Sequence, residues 1–219
     1  MQKNNFMNTE TQDIIDKSFK NFEPLTRIFP ALSYKDFFNP KKDFMLFKEA
    51  SIKEFYDLKE EKADYFNGFI IMNTPASIRH ERFFVKLISD IQNFIKEKNI
   101  GELLGSRALI YLEKDYRFEP DIFFVAKENN GIFKENEFIG VPDLVIEILS
   151  KSTRITDLYL KRVIYKKHKI KEILFFDLEN KEIIIDKLED EYISLEIKNE
   201  NHFESNVIKG YRFSTKLMN

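Results

Sequence analysis

The chain has 219 residues, 43% hydrophobic and 33% charged, with a formal net charge of −2. That is enough for one domain with a real core, and it argues against a protein that coats nucleic acid through bulk positive charge. Cys is absent and His numbers three, which excludes disulfides, thiolate zinc sites and cysteine nucleophiles and argues against a multi-His zinc centre.

Residues 1–50 read as an irregular arm. The N-terminus shows no apolar core of signal-peptide length, and no run reaches the roughly 18 apolar residues of a membrane span, so a soluble, cytoplasmic protein is expected. Pro24, Pro30 and Pro40 break a Phe-rich stretch. Its composition suggests an arm packed on the domain, or a homodimer interface at 24–48. The expected organisation is this arm, a domain over 51–200, and a C-terminal tail over 201–219 packed on it.

Ser51 with Glu54 three residues later is a capping-box pattern, and it predicts a short helix over about 51–59. Asn67-Gly68 between "ADYF" and "FIIMN" signals a two-stranded hairpin. A longer helix follows, because Phe84, Leu87, Ile88, Ile91, Phe94 and Ile95 recur at three- and four-residue spacing. Gly101 is its predicted stop. "RALIYLEK", "DIFFVAK" and "DLVIEILS" read as strands, with 116–121 and 129–142 as loops between them. "STRITDLYLKRVIYKKH" is a second helix opened by Ser152 or Thr153. "KEILFFDLENKEIIIDKLEDEYISLEI" is three further strands. The order predicts an α/β fold with a mixed central sheet flanked by helices.

Three polar residues break the apolar pattern of these elements. Asp121 follows Pro120 at the head of a strand, Glu147 sits inside "DLVIEILS", and Lys161 lies inside the second helix. A lone buried carboxylate is costly, so Glu147 is expected to be paired, hydrogen-bonded or metal-bound. Two carboxylates at the ends of adjacent strands can share a hard cation such as Mg²⁺, with the Ile148 carbonyl as a further ligand. Mn²⁺ is an expected substitute. A metal-bound water beside a lysine is the chemistry of phosphodiester hydrolysis.

These residues stand in an ordered set: Asp64 with Gly68, His80, Pro120-Asp121, Glu147 with Ser150 and Thr153, then Asp157, Lys161 and Tyr165. The set resembles the PD-(D/E)XK nuclease superfamily, and within it the standalone bacterial restriction-endonuclease-like family, over about residues 51–190. The resemblance implies a restriction-endonuclease-like fold and an Mg²⁺-dependent endonuclease acting on DNA. It implies Asp121, Glu147 and the Ile148 carbonyl as metal ligands, Lys161 as the group that orients water or stabilises the transition state, and Asp64 and His80 at the border of the site. Two positions depart from the pattern. The superfamily's usual lysine, two after the glutamate, is Leu149 here, which leaves Lys161 on the helix as the candidate. The hairpin position usually holding Glu is Asp64.

Asp157, Lys161 and Tyr165 lie at i, i+4 and i+8, on one helix face. The stretch from Lys151 to Lys171 holds eight Lys or Arg and a single acid, which suits a polyanion. The other reading of that charge is a solvated helix. The alternative for the whole protein is a catalytically inactive nuclease-fold module that binds nucleic acid or a protein partner. A third reading keeps Glu147 in a purely structural ion pair.

Overall fold

The computed structural model describes residues 46–58, 62–72, 75–105, 107–154, 156–198 and 201–218. The arm proposed as an interface lies outside them, apart from its last residues. Leu46–Glu49 form strand β1, so the domain begins before residue 51.

Among the described residues the strands form two mixed sheets and a small hairpin. The first sheet takes β1, β2 (Ala63–Phe66), β3 (Phe69–Met72), β5 (Leu109–Glu113), β6 (Tyr116–Phe118), β8 (Ile132–Phe133) and β9 (Glu137–Ile139). Its order is β1-β3-β2-β6-β5-β9-β8. The second takes β4 (Gly101–Gly105), β7 (Ile122–Ala126), β10 (Leu144–Leu149), β11 (Glu172–Asp177), β12 (Glu182–Leu188) and β13 (Tyr192–Ile197). Its order is β13-β12-β11-β10-β7-β4. Only β10 and β11 run parallel in this sheet.

The local signals act as chemistry requires. Helix α1 (Ile52–Asp57) carries both halves of the capping box, with Glu54 N donating to Ser51 Oγ and Ser51 N donating to Glu54 Oε2. Asn67 and Gly68 sit at φ 45° and 90°, the positive φ at both central residues that a type I′ hairpin needs. Helix α2 (Ile78–Lys98) opens on Ser77, whose side chain accepts from His80 N, and it buries Phe83, Leu87, Ile91 and Ile95. Its stop is Asn99 in the left-handed conformation, not Gly101. Gly101 instead begins β4, where an added Cβ would come within 2.3 Å of the Val125 carbonyl.

Two segments predicted as loops are strands. Tyr116–Phe118 is β6, and residues 129–142 contain β8 and β9. These strands are two or three residues long, too short for a period-2 pattern to declare itself. The predicted second helix is also not uniform. Thr156–Lys161 is a π-helical turn that runs on into helix α3 (Arg162–Lys167). Such wide turns are rare and recur at functional sites.

Both faces of the second sheet are covered. Ile122, Phe124, Leu144, Ile146, Ile148, Leu174 and Phe176 face α2 and the C-terminal hairpin of β14 (His202–Glu204) and β15 (Arg212–Ser214). Phe123, Val125, Val145, Leu149, Ile173 and Phe175 face α3 and the first sheet. β10 is buried at all six positions, as expected of a central strand covered on both sides. Successive side chains alternate between faces, so Glu147 lies on the Val145 and Leu149 face, beneath α3.

Candidate active site

The register of β10 against β7 sets the site. Leu144 pairs with Phe124, Val145 with Phe123 and Ile146 with Ile122. One step further along the same antiparallel register puts Glu147 opposite Asp121. Asp121 N donates to Glu147 Oε2 at 3.4 Å. Pro120 has no N–H to extend the ladder, and Ile148 N donates instead to Asp121 Oδ2 at 2.8 Å. Within a strand, the N–H and C=O of one residue face the same neighbour. The Ile148 carbonyl therefore faces the β7 side, with Asp121.

The helical segment completes the site from above. Lys161 Nζ lies 3.2 Å from each of Asp64 Oδ2, Glu147 Oε1 and Asp157 Oδ1. Tyr165 OH donates to Glu147 Oε1 at 2.7 Å. Asp64 is fully buried on β2, and its other oxygen accepts from Glu119 N at 2.7 Å. The N-cap of α2 places His80 in the first turn, with Nε2 at 3.2 Å from Asp121 Oδ2. The structure thus brings together Asp64, His80, Asp121, Glu147, Ile148, Asp157, Lys161 and Tyr165, although they come from separate elements. Asp121, Glu147, Ile148, Asp157, Lys161 and His80 line one cleft of about 1020 Å³ with Ser150, Ser152 and Thr153.

Two neighbours carried no sequence signal. Lys62 Nζ lies 3.0 Å from Asp121 Oδ1, yet in "LKEEKAD" it reads as one more solvated charge. Glu119 precedes the Pro-Asp pair, anchors Asp64 through its N–H, and lies 3.3 Å from Arg107 Nε.

The electrostatics follow from packing several carboxylates around few cations. Burial pushes Glu147 up to about 8 against the pull of Lys161, and Asp157 and Asp121 add to the rise. Asp157 is also raised, first by burial, and Lys161 again opposes. Asp121 goes the other way. Burial works against its charge, but His80, Lys62 and the Ile148 N–H hold it below the usual carboxylate range. Burial would lower Lys161, but Asp64, Glu147 and Asp157 hold it well above an ordinary lysine. His80 is raised because the Asp121 contact outweighs burial. Burial, then Asp64, pushes Glu119 up to about 7.

The basic stretch is largely neutralised within the chain. Arg154 pairs with Asp177, Arg162 and Lys166 with Asp186, Lys167 with Glu113, Lys171 with Asp143, and Lys151 with Glu179. Lys161 serves the site. These acids come from strands and turns distant in sequence, so neither a free basic face nor a simply solvated helix describes the segment. The cations at the cleft are Lys62, Arg79, Lys151 and Lys161.

A family model described as "Putative restriction endonuclease" (Uma2) matches residues 52–215. Curated proteins give no match. Among solved structures, the chain is similar to a "putative nuclease belonging to DUF820" from Anabaena variabilis, with a TM-score of 0.63 and 19% identity over 76% of this chain and 95% of that one. At that identity the likeness speaks for the fold, which is restriction-endonuclease-like. Among the described residues no helix is long and apolar enough to cross a membrane.

Proposed function

The chain belongs to the Uma2 family, described as "Putative restriction endonuclease", whose model spans residues 52–215, and from that premise we propose that it is a metal-dependent endonuclease hydrolysing phosphodiester bonds of DNA. The observation that carries this reading is the meeting of Glu147, inside β10, with Asp121 at the head of the adjacent β7, and of Lys161 with Glu147. Asp64, Asp121, Glu147 and Asp157 outnumber Lys62 and Lys161, and burial leaves Glu147 and Asp157 short of positive charge. An all-oxygen donor set fits a hard divalent cation, whose charge would draw the proton from Glu147. Among the described residues no group of three His, Cys, Asp or Glu side chains is arranged to hold a metal. The donors we assign are Asp121, Glu147 and the Ile148 carbonyl, with water completing the shell, as Mg²⁺ prefers. When bound there, the ion would supply a more acidic water and offset charge on the phosphate.

The chain's own residues have separable parts. Ile148 N–H and His80 fix the orientation of Asp121. Tyr165 and Lys161 fix Glu147. A lysine held well above its ordinary range stays charged, so it does not take a proton from water. Its contribution is electrostatic, beside the developing phosphorane.

The test is nicking of supercoiled plasmid in Mg²⁺ or Mn²⁺, beside Glu147→Gln and Lys161→Ala with folding checked by circular dichroism. The expected result is metal-dependent nicking lost in both variants. Nicking that survives both, or none in the wild-type chain, would overturn the proposal.

A further inference from the structure

The two lysines of the site are held very differently. The Lys161 side chain is 4% exposed and meets three carboxylates. Removing it would strand buried charges, which is strongly unfavourable. The Lys62 side chain is 30% exposed and meets one carboxylate oxygen, Asp121 Oδ1. It lies just before β2, outside the ladder, and opens into the cleft that holds Asp121 and Glu147.

Asp121 has little else to offer a cation arriving from solvent. Its Oδ2 already accepts from Ile148 N and touches His80 Nε2. Oδ1 is the oxygen left, and Lys62 sits on it. An ammonium and a dication on one carboxylate oxygen repel strongly at such range. One of them has to leave, and the geometry makes Lys62 the one that can. Its four-carbon stem carries a compact, flexible charge.

We propose that Lys62 is a tethered cation that covers the metal-facing oxygen of Asp121, and that a divalent ion displaces it into the cleft, where its ammonium meets a phosphate of the nucleic acid. This rests on the nuclease reading and deepens it. Lys62 then has two states. In one it neutralises the buried carboxylate. In the other it joins Arg79 and Lys151, which line the same cleft, against the polyanion. The device couples metal entry to substrate grip without needing a free basic surface elsewhere.

The experiment uses the full chain and Mn²⁺ without nucleic acid, followed by titration calorimetry. Lys62→Gln removes the competitor, and Mn²⁺ should bind about tenfold more tightly than to wild type. Lys62→Arg keeps a cation on Asp121 and should bind Mn²⁺ like wild type. Lys171→Gln is the charge control. That side chain is 64% exposed, lies outside the cleft and pairs with Asp143, so its loss should change Mn²⁺ affinity about twofold or less, as expected of a screened charge. A second readout is fluorescence anisotropy of a short labelled DNA duplex, its integrity checked after each reading. Mn²⁺ should raise duplex affinity in wild type about fivefold more than in Lys62→Gln. Equal Mn²⁺ affinity in wild type and Lys62→Gln overturns this inference and leaves the nuclease reading standing. Tighter Mn²⁺ with an unchanged duplex response overturns the hand-over to phosphate. No Mn²⁺ binding in either protein overturns the metal reading, and this inference with it.

Discussion

Glu147→Gln separates a metal-binding carboxylate from a structural one without any nuclease assay. The Glu147 carboxyl is pushed up to about 8 from a reference of 4.5. At pH 7 the folded carboxyl therefore keeps a proton that the unfolded one has released, which takes about 3 kcal/mol from the stability of the wild type at roughly 1.4 kcal/mol per unit, and Gln avoids that loss. Against this, Oε2 accepts from Asp121 N, and an amide nitrogen there would set donor against donor, at about 1–2 kcal/mol. The variant should be more stable than wild type in EDTA at pH 7, by about 1–2 kcal/mol, or several degrees in Tm for a chain of this size. The sign with pH follows from proton binding. The folded carboxyl holds its proton more tightly than the unfolded one, so wild type loses stability as pH rises from about 4.5 towards about 8. The gap between the two proteins should widen over that window in urea melts. Lys161→Met should do the opposite, losing about 3–5 kcal/mol, because buried carboxylates lose their common partner. A Glu147→Gln chain less stable than wild type at pH 7 and pH 8 would refute the reasoning. Glu147 would then be a satisfied member of a structural ion-pair lattice.

Two further outcomes follow from other parts of the fold. Asp186 is buried, accepts from Arg162 and Ser194, and pairs with Lys166. Burial opposes its charge, but these partners hold its carboxyl below the ordinary value. Its stabilisation is therefore complete above the unfolded value near 4 and lost as pH falls through the folded one. Asp186→Asn should cost about 3 kcal/mol at pH 7 and less at pH 3 in urea melts; an equal loss at both would dissociate the effect from charge. Gly101→Ala should cost about 2–3 kcal/mol, since its Cβ would drive into the Val125 carbonyl. Gly68→Ala meets no atom within 4 Å and should cost about 1 kcal/mol for its positive φ alone, so thermal melts that rank the two alike would contradict the close approach.

What the sequence revealed divides by range. Glu147 was conspicuous because one charge interrupts a run of Val, Ile and Leu, and burial on both faces of β10 bears out why that run is apolar. The capping box at Ser51 and the Asn67-Gly68 turn were legible because each is a short-range contest between a side chain and its own backbone. Lys62 was invisible. Its role depends on a carboxylate 59 residues away in the chain, and no local pattern encodes that. The basic stretch misled for the same reason. Its charge was visible, but Asp177, Asp186, Asp143 and Glu113, which meet it, come from other elements. β6, β8 and β9 were missed because strands of two or three residues take their identity from neighbours in the sheet.

Asp64 shows what one methylene decides. The pattern this chain resembles carries Glu at that hairpin position. Here both oxygens of Asp64 are engaged inside, one by Glu119 N and the other by Lys161 Nζ. It holds the lysine and the start of the Glu119-Pro120-Asp121 segment. Asp64 has no exposed surface, so Asp64→Glu has to fit a methylene into a filled site, at about 1–3 kcal/mol. The longer arm would also push its carboxylate past Lys161 Nζ, loosening the grip on that side chain. The expected outcome is a lower Tm, with Mn²⁺ affinity no better than wild type. A chain that gained both stability and Mn²⁺ affinity would show instead that the site is built for a glutamate, and that Asp64 is a shortened ligand rather than the holder of Lys161.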